Sequence, residues 1–253
     1  MNKLSRQAVF YTVLLAAWIA VARMRVWPPY LFPSPGDVWQ SLRFGFADHS
    51  FVIAIGTSLR RVLIGYGIAV LLGVLLDLLI ASSRFLQETL GSLLLGLQSL
   101  PSICWLPLAV LWFGLTEKAI VFVVVMGAVL SITIAMESGR RQMPRIYGQA
   151  GRNLGAHGLR LFFFVSLPAS LPYLLAGLKQ GWAFAWRALI SGEMIFVSLG
   201  LGQLLMMGRD LNDMSQVVAA MALIVAIGYA VDGLIFRTLE RQLQHRWGLE
   251  RAA

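Results

Sequence analysis

Long apolar runs without a charged residue divide this sequence, and they constrain the fold more than any other feature. They cover residues 8–22, 62–76, 89–116, 119–136, 161–178 and 214–231. Lipid cannot hydrogen-bond backbone amides, so a spanning segment must satisfy its own, and about 20 apolar helical residues cross the hydrocarbon. Charged residues make up only 13% of the chain, and the mean hydropathy is +0.74. The sequence therefore predicts an all-α membrane protein.

Six transmembrane helices account for these runs. We predict spans at 8–24, 53–80, 87–112, 118–137, 161–190 and 214–236, in a single transmembrane domain covering residues 1–253. A further apolar stretch at 194–208 contains Gly200 and Gly202 and leads into polar residues, which favours a re-entrant or external hairpin over a span. Pro101 and Pro107 interrupt the third predicted span, as happens where freed carbonyls face protein or a wet cavity.

The basic residues lie between the apolar runs, which explains the net charge of +9 without a nucleic-acid partner. More of them fall in the segments that are cytoplasmic when both termini are inside, so the positive-inside rule favours that orientation. Lys3 and Arg6 before the first run also resemble the start of a cleavable signal peptide. We expect this first run to be retained as a span.

Motifs for chemistry are missing from the sequence. The three lysines, Lys3, Lys118 and Lys179, do not follow a glycine, so the chain has no phosphate-binding loop of the G-x-x-x-x-G-K-[ST] type. It has neither the H-E-x-x-H of zinc proteases nor the G-x-S-x-G of hydrolases. The lone cysteine, Cys104, excludes an internal disulfide and a thiolate metal cluster. These absences argue against an enzyme.

The segment between the fourth and fifth predicted spans contains a spaced pattern of small residues. Gln149-Ala150-Gly151 is followed after three residues by Gly155, and after nine more by Val165-Ser166-Leu167-Pro168. This pattern resembles the EAA loop of ABC importer permeases, which reads E-A-A, three residues, G, nine residues, then I-x-L-P, so every gap has the expected length. Two residues depart from the pattern, since Gln149 replaces glutamate and Gly151 replaces the second alanine.

The resemblance extends over most of the chain and is strongest to permeases of the nitrate, sulfonate and taurine importer group. Similar segments occur in the same order at 31–35, 58–61, 100–108, 111–114, 176–179, 185–186, 192–195 and 200–202. The fourth span departs from the group, because Ser131 and Glu137 stand where such proteins tend to have proline and a small polar residue.

The resemblance implies a type I ABC importer permease domain with a cytoplasmic coupling helix inside residues 145–160. The partners implied are two ATPase subunits that bind ATP and Mg, a second permease subunit forming a homodimer, and a periplasmic or lipid-anchored solute-binding protein. The location implied is the bacterial plasma membrane. The ATPase-coupling residues implied are Gln149, Ala150, Gly151, Arg152, Asn153, Gly155 and Ala156. We expect Gln149 and Ala156 to share a helical face, and Gly151 and Gly155 to share a stripe.

Ionisable residues in or near spans mark surfaces that face protein or water, because an isolated charge in lipid is costly. Lys179, Arg187 and Glu193, with the neighbouring Trp186, are the candidates for the substrate pathway, and the two basic residues suit an anion. Asp77 and Asp232 lie nearer the predicted span ends, where we expect solvation at the interface.

Other functions remain open at this stage. The same permease group includes importers of vitamin precursors and other organic solutes. A secondary transporter would carry duplicated halves, and none is visible in this sequence. A membrane enzyme acting on lipids would need convergent catalytic groups, and three scattered histidines with one cysteine do not supply them.

Overall fold

Helices make up nearly all of the backbone in the computed structural model, which describes residues 3–28, 30–142, 145–196 and 198–247. Short 3-10 or π turns occur at Ser102–Trp105, Phe162–Ser166 and Asp232–Phe236. The α-helices in the described residues are Lys3–Met24 (α1), Pro35–Ala47 (α2), Ser50–Ser82 (α3), Arg84–Gln98 (α4), Leu106–Phe113 (α5), Glu117–Gln142 (α6), Arg145–Asn153 (α7), Gly158–Leu161 (α8), Leu167–Ile195 (α9), Leu201–Asp210 (α10), Met214–Val231 (α11) and Arg237–Trp247 (α12).

Five helical segments among the described residues are long and apolar enough to cross a membrane. They are Ser5–Met24, Ser50–Ser82, Glu117–Gln142, Phe162–Ile195 and Met214–His245. Each overlaps one predicted span, so the all-α membrane architecture is confirmed. The remaining predicted span, 87–112, is not one straight helix, because α4 and the following 3-10 and α5 segment meet at 103°.

The break between α4 and α5 follows from the local sequence. At the end of α4, the Ser99 and Leu100 N–H groups donate to carbonyls three residues back. The acceptors are Gly96 O, at 3.2 Å, and Leu97 O, at 3.1 Å. Pro101 comes next and has no N–H to donate, so the α-helical ladder cannot continue. The interruption predicted from Pro101 is confirmed.

The stretch predicted not to span forms a short helix. Helix α10 has ten residues and is therefore about 15 Å long, roughly half the thickness of the hydrocarbon core. It is not among the described segments able to cross a membrane. This agrees with the prediction of a hairpin in place of a span.

The chain divides into two compact units, and their boundaries fall inside α3, α9 and α11. Unit 1 comprises Met1–Ser58 and Glu193–Ala226, and unit 2 comprises Leu59–Gly192 and Ile227–Ala253. The prediction of one domain over residues 1–253 stays a prediction.

Hydrogen bonds at the ends of α1 and α2 fix the N-terminal part of unit 1. The Trp18 indole N–H of α1 donates to Pro33 O at 3.1 Å. Ser34 and Asp37 form a capping box that starts α2 and satisfies N–H groups left unpaired by the helix. Most side chains of α1 are exposed, so this helix presents an apolar surface to its surroundings.

Unit 2 is built on α6, whose side chains are mostly buried. Neighbouring helices approach it through glycines. On α3, a Cβ added at Gly65 would lie 2.6 Å from Val124 Cγ1, and one added at Gly73 would lie 2.8 Å from Ile132 Cγ2. On α9, a Cβ added at Gly181 would lie 2.7 Å from Ile132 Cγ1. Membrane helices gain little from hydrophobic exclusion between themselves, so close backbone approach supplies the packing energy.

Two ion pairs inside unit 2 involve residues near the ends of the spans. Arg61 is buried, and its Nη2 lies 2.8 Å from Glu117 Oε1. Asp77 is 1% exposed and lies 3.2 Å from Arg140 Nη2. The prediction that Asp77 is solvated at the interface is therefore wrong, because a buried carboxylate in a span needs a cation, and Arg140 provides it.

Replacing Gly177 of α9 with valine should destabilise the membrane domain by about 1–3 kcal/mol, since an added side chain would overlap Ala135 of α6. Thermal unfolding of the detergent-purified protein measures the loss. Gly67→Val of α3 is the matched control, because nothing lies within 4 Å of a Cβ at that position. Equal melting temperatures for the two variants would contradict this account of the α6–α9 packing.

Candidate coupling loop and substrate pathway

Helix α7 ends in a hydrogen-bonded turn that requires glycine. The Gly155 N–H donates to Arg152 O and the Ala156 N–H to Gly151 O, both at 2.9 Å, which is the bonding pattern of a Schellman motif. Gly155 has φ +83°, a left-handed conformation that glycine adopts without steric cost. The glycine of the EAA-like pattern is thus the residue that stops this helix.

Gly151 has a different role, because it lies where α7 packs on the chain that follows. A Cβ there would lie 2.7 Å from Leu161 Cδ1 and 2.9 Å from Val165 Cγ2. Space around Gly155, in contrast, is open to 4 Å. The predicted common stripe of Gly151 and Gly155 is therefore wrong, since one glycine is buried inside the loop and the other turns the chain at its surface.

The other predicted coupling residues are mostly exposed. Gln149, Ala150, Arg152 and Asn153 lie on α7 with their side chains exposed, whereas Ala156 is half-buried beyond the helix end. The prediction that Ala156 continues the helical face of Gln149 is wrong, because α7 stops at Asn153.

A π turn connects this loop to α9. The Leu167 N–H donates to Phe162 O, five residues back, and Pro168 immediately follows. Proline has no N–H, so Pro168 cannot donate to a carbonyl of the turn before it. The Ser170 hydroxyl donates to Ser166 O, four residues back, at 2.8 Å. The closing part of the EAA-like pattern thus shapes the start of α9.

Lys179 of α9 is held in ion pairs. Its Nζ lies 3.0 Å from Asp232 Oδ1 and 3.4 Å from Glu240 Oε1. Asp232 is half-buried and pairs with Arg237 as well, at 3.6 Å. Asp232 therefore has protein partners in addition to any solvation, and the charge of Lys179 is locally neutralised.

Trp186 and Arg187 lie together with Lys179 around a cavity of about 600 Å³. Trp182 and Trp186 stack with ring centroids 6.4 Å apart, and both indole N–H groups are buried without a partner in the described residues. Arg187 is exposed, and its guanidinium lies 4.8 Å above the Phe184 ring. Three of the four predicted pathway residues thus line one cavity, and Glu193 does not.

Glu193 is fully buried in unit 1 and fixes the start of α10. Its carboxylate accepts hydrogen bonds from the Ser58 hydroxyl, at 2.9 and 2.7 Å, and from the Gly202 N–H at 3.1 Å. The Ser58 oxygen in turn accepts from the Leu201 N–H at 2.9 Å. The Glu193 carboxylate also lies at the N-terminus of α10, where the positive end of the helix dipole stabilises a negative charge.

Gly200 completes this arrangement, because its Cα lies directly against the acid. A Cβ at Gly200 would be 2.5 Å from Glu193 Cδ. The predicted role of Glu193 in the pathway is not supported by an exposed surface, since its side chain is fully buried. Sequence reasoning missed Ser58, and only its place in the resembling segment 58–61 gave a signal.

Residues 65–248 match the model of the binding-protein-dependent transport system inner membrane component family. The chain belongs to this family. The sequence-based assignment to the ABC importer permeases is thereby confirmed.

Several relatives of this permease have stated substrates in their names. It is 28% identical to the nitrate import permease protein NrtB of Synechocystis sp. over 92% of its own length and 87% of the relative. It is 27% identical to the taurine transport system permease protein TauC of Escherichia coli (95% and 90%). It is 30% identical to the putative aliphatic sulfonates transport permease protein SsuC of the same organism (92% and 88%).

Solved structures confirm the fold of the permease. A chain of the MetNI methionine ABC transporter superposes with a TM-score of 0.68 at 18% identity, covering 77% of this chain and 96% of that one. A chain of an amino acid ABC transporter gives 0.62 at 18% identity, with 81% and 97% covered. The prediction of a multi-pass, type I ABC importer permease fold is therefore confirmed.

Proposed function

We propose that this permease forms, with a second copy of itself, the transmembrane pathway of an ATP-driven importer for a small anion such as a sulfonate, taurine or nitrate. Support for the substrate class comes from the relatives named for nitrate, taurine and sulfonate transport. A binding protein on the outer side would deliver the solute, as the family description implies. Residues 1–253 would act as one permease domain.

The observation that carries this proposal is the exposed face of α7, which lies in the EAA-like segment and is followed by the turn at Gly155. We assign ATPase coupling to Gln149, Ala150, Gly151, Arg152, Asn153, Gly155 and Ala156. The exposed members would insert into a groove of an ATPase subunit, while Gly151 holds α7 against Leu161 and Val165. Closure of two ATPase subunits around ATP and Mg would then move both loops and bias the permease between two states.

The same proposal fixes the orientation. Helix α7 would lie on the cytoplasmic side of the plasma membrane, and both termini would lie there as well. Lys179, Trp186 and Arg187 would line or support the pathway, and Glu193 would hold α10 from within unit 1.

The purified chain alone should hydrolyse no ATP, because it lacks a phosphate-binding loop, and hydrolysis should appear when the cognate ATPase subunit is present. Release of phosphate from proteoliposomes measures this. A complex whose ATPase subunit lacks its phosphate-loop lysine is the control for contaminating activity. Sustained ATP hydrolysis by the isolated chain would contradict the proposal that a separate subunit hydrolyses ATP.

A further inference from the structure

A polar cavity of about 260 Å³ opens at the break between α4 and the 3-10 turn. It lies entirely within unit 2, between the broken helix, α6 and α9. It exists because Pro101 ends the α4 ladder and turns the chain by 103°, so that α4 does not continue straight past α6. The polar side chains that line it are Gln98, Ser99, Ser102, Ser131 and Arg187.

Three polar side chains of the lining make no hydrogen bond within the described part of the chain, and they belong to Ser131, Ser102 and Gln98. Ser131 is only 4% exposed as a residue, but its hydroxyl reaches the cavity and is not sealed off from it. Ser102 and Gln98 are half-buried. These groups can therefore hydrogen-bond a bound solute in place of water.

Arg187 gives the cavity a positive charge that no neighbour cancels. Its Nε donates to Ala183 O at 3.1 Å, which leaves both Nη groups for other acceptors. No aspartate or glutamate lines this cavity, and Arg187 makes no ion pair with any residue that the structure describes.

The larger cavity around Lys179 differs in this respect. Asp232 and Glu240 line it and both pair with Lys179. The cavity at the α4 break has one guanidinium and no carboxylate in its lining, so its charge favours an anion.

We propose that the cavity at the α4 break is a binding site for a small oxyanion on the transport path. The two Nη groups of Arg187 would hold two oxygens of a sulfonate or nitrate as a fork. The Ser102 and Ser131 hydroxyls would donate to the remaining oxygen. This inference rests on the proposed function and names the residues that select its substrate.

The cavity has room for a small oxyanion. Its volume of about 260 Å³ lies just below the range of about 300–1,000 Å³ for pockets that hold drug-sized ligands. Ser131 is the residue that makes the α6 side of the cavity polar.

Isothermal titration of the intact complex, permease with its ATPase subunit in lipid nanodiscs, tests the proposal. Methanesulfonate and nitrate are the probes, and methanesulfonamide is the neutral counterpart of similar shape. The wild type should bind the two anions and not the sulfonamide. Arg187→Gln should weaken anion binding by about tenfold or more, since a hydrogen bond to a charged group contributes about 1.5–3 kcal/mol.

Two further variants separate the charge from the geometry. Arg187→Lys should restore part of the lost affinity, because the charge returns without the planar fork. Ser131→Ala should weaken binding several-fold, about the effect of one hydrogen bond. Arg209→Gln, an exposed cation on α10, is the control and should bind as the wild type does.

The inference fails if Arg187→Gln binds both anions as tightly as the wild type, if the sulfonamide binds equally well, or if the wild type binds neither anion. ATP hydrolysis and copurification of the ATPase subunit are measured on the same samples. If both are normal, such a result overturns the oxyanion site alone. Loss of both from the wild-type complex would instead overturn the proposed function.

Discussion

Replacing Gly155 with arginine should uncouple the importer while its membrane helices stay assembled. The left-handed conformation at φ +83° costs a non-glycine residue about 1–2 kcal/mol, and the new side chain would project from the exposed end of α7 into the proposed ATPase groove. We expect substrate-stimulated ATP hydrolysis and copurification of the ATPase subunit to fall about tenfold or more, as when a central interface position is disrupted.

Matched variants separate the turn from the interface. Gly155→Asn keeps a residue that tolerates positive φ, so the Schellman turn and most of the coupling should survive. Gln40→Arg adds the same bulky cation to an exposed position of α2 and should leave coupling unchanged. If Gly155→Arg matches Gln40→Arg in both measurements, α7 is not the coupling element.

Truncating Glu193 to alanine should cost about 3–5 kcal/mol of stability, the range for removing one partner of a buried charged network. The Ser58 hydroxyl and the Gly202 N–H would lose their acceptor inside unit 1. Thermal unfolding in detergent, followed by tryptophan fluorescence, measures the change.

Gly200→Ala probes the same network without removing the acid. The added methyl group would meet the Glu193 carboxylate at 2.5 Å, so the acid must leave its hydrogen bonds to Ser58 and Gly202. Gly56→Ala of α3 is the control, since nothing lies within 4 Å of a Cβ there, and alanine favours a helix over glycine. If the Gly200→Ala and Gly56→Ala variants have the same melting temperature, the hydrogen bonds of Glu193 do not contribute to stability.

The sequence predicts the membrane helices well because lipid leaves a long apolar run few alternatives to a helix. It also locates the interruption at Pro101, where the missing N–H acts locally. The ends of α7 were harder to predict, since stopping at Asn153 depends on the conformation of Gly155 as well as on its presence.

Ion pairs and hydrogen bonds between residues distant in the sequence could not be predicted. Asp77 and Arg140 are 63 residues apart in the sequence, and Ser58 and Glu193 are 135 apart. Such pairings depend on which helices are neighbours, and the apolar pattern of each helix carries no information about that. For the same reason, the sequence did not indicate that Lys179 has acidic partners and that Arg187 has none among the described residues.

The glycine contacts around α6 have a mechanical consequence. Side chains of α6 occupy the space that a Cβ would take at Gly65, Gly73, Gly177 and Gly181, so each of these side chains fits into a notch on α3 or α9. A helix seated in this way cannot slide by small steps, because packed contacts have discrete arrangements and do not deform continuously. Within unit 2, we therefore expect α6 and the parts of α3 and α9 packed on it to move as one body when the permease changes state.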